Sequence, residues 1–154
     1  MNGGANMFFA KYDAIDVAEY VLWYCENQLN KAITNLQLQK ILYYIQGEYL
    51  AIYKEPLFDN NMEAWDYGPV IPDVYYEYNQ FVSDPITGVQ PHDMILFKCN
   101  EVNLMQMVIS EKIKLNVWKL VKDTHLESPW KKNFEQGVKK EIPISDLEEY
   151  FIKY

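Results

Sequence analysis

Arginine is absent from this chain: all 14 basic residues are lysine, against 22 acidic ones, and the net charge is −8. Arginine supplies the bidentate contact to guanine and much of the phosphate clamping in nucleic-acid interfaces, so an acidic domain without any is not read as a nucleic-acid binder. The one basic concentration, Lys131, Lys132, Lys139 and Lys140, reads as a solvated face. A basic protein partner fits the overall charge better, because opposite potentials speed encounter. Cysteine is scarce too. Cys25 and Cys99 stand far apart with no CxxC spacing, which indicates neither a disulfide framework nor a zinc site and leaves buried reduced thiols as the expectation. No apolar run approaches the roughly 18 residues needed to span a bilayer, and the start, MNGGANMFFAKYD, lacks the pattern of a secretory leader. No membrane association and a cytoplasmic location are therefore expected.

What is present is a globular composition, 49% hydrophobic and 23% charged over 154 residues, enough for one domain with a real core. In DAIDVAEYVLWYCENQ, Asp13 is a cap, and Val17, Tyr20, Val21 and Tyr24 recur at helical spacing. Thr34 with Gln37 forms a capping box, flanked by the Ile33 and Leu38 staple. It opens a long helix, NLQLQKILYYIQGEYLAIYKE, which Pro56 ends. That helix is apolar over much of its surface and should be central and buried. Gly47 interrupts it at a cost of about 1 kcal/mol, so something is expected to pack on the bare backbone there.

After Pro56 the period changes. A turn at Asp59-Asn60-Asn61, between Leu57-Phe58 and Met62 to Trp65, predicts a short hairpin that Gly68-Pro69 stops. Pro72 then starts a helix with Val74, Tyr75, Tyr78 and Phe81 inward. SDPITGVQPHDM reads as a loop. Helices follow over EVNLMQMVISEK, over VWKLVKD behind an Asn116 cap, and from Ser128-Pro129, with serine as cap and Gly137 placed to end that last one. A second capping box, Ser145 with Glu148, opens the closing helix. The expected fold is mostly α (α+β): a compact multi-helix single domain with one short β-hairpin, positions 1–12 being an N-terminal extension and 13–154 the domain.

No nucleophile, metal or phosphate motif stands out, and neither an enzyme nor a cofactor is expected. The two histidines, His92 and His125, could join scattered carboxylates only through the fold. His125, in THLESPW, is read as a cap on the preceding helix carbonyls ahead of a general base or a ligand contact. Trp65 and Trp130 suit either core positions or binding anchors.

Taken in order, LQKILYYIQG, then LFDNNMEAWDYGPVIPDVY, then THLESPW resemble the Panacea domain family, also described as SocA-like antitoxin domains. The residues that match are Leu38 to Gly47, Leu57-Phe58, Ala64-Trp65, Tyr67 to Val70, Pro72, Tyr75, Thr124-His125 and Pro129-Trp130, and the final ISDLEEYF is similar to the family's closing helix. The likeness runs from about Asp13 to the C-terminus. The family often has lysine where Gln37 stands, and no DNA-binding module is expected beside the match. The resemblance implies a protein-binding antitoxin, met on prophages and other mobile elements, that neutralises a cognate protein toxin directly or acts as adaptor to a Clp-type protease. An inhibitor of a host defence protein and an enzyme with an unrecognised carboxylate and histidine site stay as alternatives. On this reading the partner-binding residues are Trp65, Tyr67, Pro69, Val70, His125, Pro129 and Trp130, with no catalytic residue and no metal.

Overall fold

The structure, a computed structural model, describes residues 10–152. Positions 1–9 of the expected N-terminal extension lie outside the described residues. Helix α1, Ala14–Trp23, starts on the Asp13 capping box with Asp16 and runs on through a π-helical turn, Tyr24–Gln28. Helix α2, Asn35–Tyr53, starts on the reciprocal Thr34–Gln37 box and closes on Lys54 in the left-handed conformation, two residues before Pro56. Thirteen of its residues are buried, because α1 and the helices over Cys99–Lys112, Val117–His125 and Ile144–Phe151 all pack around it. A β-carbon at Gly47 would stand 2.2 Å from Phe151 Cε2, so the expected neighbour of the bare backbone is the ring that ends the closing helix.

The small sheet is antiparallel with strand order β2-β1-β3: β1 is Glu63–Trp65, β2 is Gly68–Val70 and β3 is Lys140–Glu141. The hairpin therefore exists, but not where the turn residues of the sequence place it. Its strands meet across Asp66-Tyr67, with Trp65 opposite Gly68, and Gly68-Pro69 is a strand rather than a stop. Gly68 at φ +111° takes the conformation that closes the turn. Pro69, which has no N–H to give a ladder, sits on the edge strand. Leu57-Phe58 is not a hairpin strand. Its backbone is satisfied by the Gln46 amide, which accepts from Leu57 N at 2.9 Å and donates to Phe58 O, and by a bridge to Tyr12.

Helix α3, Pro72–Glu77, carries proline at its start and buries Val74. The Ser83 to Met94 stretch is irregular, as expected, and is pinned by Ile86, whose N–H donates to Ile33 O at 2.8 Å. Helix α4, Cys99–Lys112, leaves Cys99 exposed, so only Cys25 is a buried thiol. Helix α5, Val117–His125, is capped by Asn116.

Three cap assignments move. Helix α6, Ser128–Lys131, has Glu127 rather than Ser128 at its cap position, and the Glu127 carboxylate instead accepts the Tyr43 and Tyr44 hydroxyls at 2.9 and 2.8 Å. Helix α6 also stops well before Gly137, which serves a turn at φ +79° between Glu135 and Val138. Helix α7, Ile144–Phe151, has Pro143 in an extended conformation at its cap position, two residues ahead of the expected Ser145, so Ser145 lies inside the helix and caps nothing. None of the helices of the described residues is long and apolar enough to cross a membrane.

Candidate functional site

The three matched motifs meet on the backbone of one hairpin. From α2, the Lys40 ammonium donates to Pro69 O at 2.8 Å, and Gln39 Oε1 accepts from Ile71 N at 2.8 Å. Gln39 is in turn held by Asn35, whose amide donates to Tyr75 O at 3.1 Å. From α6, Trp130 Nε1 donates to Trp65 O at 2.8 Å. From the end of α5, His125 Nε2 lies 3.1 Å from Asp66 O. A carbonyl only accepts, so this ring nitrogen carries the proton. Burial lowers the pKa of His125, its imidazole is stacked 3.9 Å from the Trp130 ring, and Trp130 stacks on Phe134 at 4.5 Å. His125 thus reaches across to the hairpin instead of capping the carbonyls of its own helix. Gly68 is needed for a second reason: a β-carbon there would stand 2.7 Å from both Lys40 Cε and Thr124 Oγ1.

Lys40 itself is fully buried, and desolvation pushes its amine down to about 7. Among the described residues no carboxylate pairs with it. Its work is to hold a carbonyl.

What this mount presents is a turn and a groove. The groove, about 720 Å³, runs between the hairpin, the first turn of α2, the turn after α3 and the first turn of α5. Tyr67, at the hairpin tip, is 56% exposed and meets the equally exposed Trp118 edge to face at 5.4 Å. Trp65 packs edge-on against Tyr75 at 5.0 Å, donates its N–H to Glu63 Oε1 at 2.8 Å, and carries Lys139 Nζ over its ring at 4.2 Å. Val82, on the opposite lip, is 79% exposed at φ +56°, ψ −113°, a glycine-type conformation in a β-branched residue. Holding it there costs on the order of 1–3 kcal/mol.

The residues singled out in sequence divide accordingly. Trp65, Tyr67 and Val70 line the groove, Val70 as buried floor. Pro69 and Pro129 are buried, and His125 and Trp130 are half-buried behind the hairpin. Sequence reasoning missed Lys40 and Gln39, although both stand inside the matched LQK, and it missed Trp118 and Lys139, which carry no motif and reach the site only through the fold.

Elsewhere, Asp16, Glu19 and His92 place three possible ligand atoms within 4.8 Å of one another. His92 Nδ1 is 3.1 Å from Glu19 and 3.4 Å from Asp16, and its pKa is raised chiefly by the Glu19 hydrogen bond. This is a surface histidine–carboxylate cluster, with His92 exposed and Asp16 and Glu19 half-buried, and it contains none of the hairpin motif residues. The Cys25 thiol, pushed up to about 12 by burial, is no nucleophile near neutrality.

Comparison with known proteins agrees with the motif order. The family described as "Antitoxin SocA-like, Panacea domain" matches residues 38–131. Antitoxin SocA of Caulobacter vibrioides (strain NA1000 / CB15N) is 47% identical over 47 residues, 30% of this chain and 25% of that protein. The matched part thus spans about a quarter of the relative's length. No solved structure matches.

Proposed function

The chain belongs to the SocA-like antitoxin family with the Panacea domain, and from that premise we propose that it neutralises a cognate protein toxin by binding it directly through the hairpin tip and the groove beside it. The observation that carries this reading is the convergence of α2, α5 and α6 on three backbone groups of a single hairpin, Trp65 O, Asp66 O and Pro69 O, and on Ile71 N just beyond it. Four side-chain hydrogen bonds fix the backbone of this short strand pair against the helices, and pre-organising a binding loop lowers the ordering cost of association. Trp65, Tyr67 and Trp118 are the contact anchors, since exposed or half-exposed large aromatics dominate binding hot spots. His125, Trp130 and Lys40 are positioning residues. Val70 contributes apolar floor, while Pro69 and Pro129 shape the turn and the start of α6. The expected setting is the cytoplasm, where a toxin made by an adjacent gene would meet it.

Co-expression with the product of the neighbouring gene tests this. Wild-type protein is expected to rescue growth and to co-purify with the toxin. The double variant Tyr67→Ala/Trp118→Ala, which removes only exposed rings, should keep its circular dichroism and weaken the complex by about 30-fold or more. Full rescue by that variant with undiminished affinity would remove this surface from the interface. Rescue that vanishes in a Clp-deficient host would make the protein an adaptor, and a neighbour harmless on its own would transfer the reading to an inhibitor of a defence protein.

A further inference from the structure

The sheet that frames the groove carries an unusual set of charges on one face. In an antiparallel pair, residues directly opposite one another project to the same side, and so do residues two apart on one strand. Glu63 is opposite Glu141, and Ala64 is opposite Lys140. Continuing that register by one step sets Trp65 against Lys139, which agrees with Lys139 Nζ lying 4.2 Å over the indole. One face therefore holds an indole with a cation on it, flanked by two like-charged carboxylates facing each other, an arrangement that is destabilising as it stands. Glu63 also accepts the indole N–H at 2.8 Å, which places negative charge at the edge of the same ring. Among the described residues, no cation lies within ion-pair distance of Glu63 or Glu141, and no carboxylate lies within that distance of Lys139.

We infer that this face is a seat for an arginine side chain of the protein partner, which displaces Lys139 from Trp65, stacks its guanidinium on the indole and pairs with Glu63 and Glu141. The inference deepens the antitoxin reading by naming the chemistry of the partner's contact, and it rests on that reading for the partner's identity. A planar guanidinium both stacks on an aromatic face and forks onto carboxylates, which the ammonium of Lys139 does not do. This chain contains no arginine of its own to fill the seat. Its charge of −8 favours a basic partner. Lys139 is exposed and follows the Gly137 turn at φ +79°, so its departure disturbs no core.

The test uses the intact chain and a small probe. N-acetyl-arginine amide is titrated while the indole N–H resonances are followed, with its uncharged isostere N-acetyl-citrulline amide as control. Trp65→Phe identifies the Trp65 signal. The arginine compound is expected to move that signal and the citrulline compound to leave it in place. Lys139→Gln should tighten binding by about two- to fivefold by removing the resident cation, and Glu63→Gln, which keeps an acceptor for the indole N–H, should weaken it. Equal effects of the two compounds, an apparent Kd unchanged in Lys139→Gln, or movement confined to other indoles would overturn the seat. The same variants in the co-expression assay separate the two ideas. Neutralisation by wild type without arginine binding would sink the seat and leave the antitoxin reading standing. Arginine binding at Trp65 with no toxin neutralised would do the reverse.

Discussion

Lys40 sits on the buried surface of α2 with its ammonium on Pro69 O, so the charged form loses its water and gains one carbonyl. Its amine has an ordinary pKa of 10.5 and is pushed down to about 7 in the fold. Below pH 7 the folded and unfolded chains both hold the proton, and the desolvation cost is carried in full. Between about 7 and 10.5 the unfolded chain keeps the proton and the folded chain releases it, so stability rises with pH. Cys25 opposes this above about pH 9, because burial makes the folded thiol keep a proton that the unfolded one loses. The usable window is therefore pH 7 to 9. Urea midpoints should climb across it in wild type, with a slope approaching about 1.4 kcal/mol per pH unit. In Lys40→Met that part of the slope should vanish. Parallel profiles in the two proteins would mean that Lys40 titrates normally. At this scale the sequence was only partly legible. Trp65 and Tyr67 stand in a dense aromatic segment that marks them as candidate contacts, whereas a lysine in an apolar stripe looks like any surface lysine until the hairpin is laid over it.

At the scale of elements, three caps were readable from adjacent residues, whereas Ser128 and Ser145, signals just as local, give way to Glu127 and Pro143. The Thr34–Gln37 box defines the start of α2 from four adjacent residues, and Asp13 and Asn116 do the same for α1 and α5. The hairpin was misplaced because Asp59-Asn60-Asn61 is the stronger turn signal, yet Asn60 instead accepts from Ala14 N and donates to Asp73, tying α1 to α3. Strand β3 has two exposed residues and no periodicity, so only its pairing with β1 reveals it. Gly47 shows a tertiary contact that one residue does announce. Alanine is about 1 kcal/mol better than glycine in a helix interior, but its β-carbon would overlap Phe151, which Tyr43 and Tyr44 hold edge-on at 5.5 and 6.1 Å. Gly47→Ala is therefore expected to destabilise by about 1–3 kcal/mol. Trimming the ring in Gly47→Ala/Phe151→Leu should recover part of that loss, a non-additivity that denaturant melts of the four proteins would measure. Strict additivity would show that α7 does not close on Gly47.

For the whole molecule, charge separates encounter from grip. The anchors proposed at the hairpin are aromatic and apolar, so they act after contact and govern dissociation. The field of a chain with net charge −8 acts before contact and over a range set by the ionic strength. Acidic residues outnumber basic ones 22 to 14, and Lys132 and Lys140 already face Glu149, Asp146 and Glu135, so the net field of the chain attracts a basic partner. Association with the co-purified toxin should consequently slow by about 10- to 100-fold between low salt and 0.5 M salt. Dissociation should change far less, since a groove floored by Ala64 and Val70 and walled by Trp118 is held by burial that salt does not screen. Stopped-flow measurements at several salt concentrations give both rates. An association rate indifferent to salt would mean that the acidic balance serves solubility alone, and a dissociation rate that rises as steeply as association falls would place ion pairs, and not the aromatic groove, at the centre of the grip.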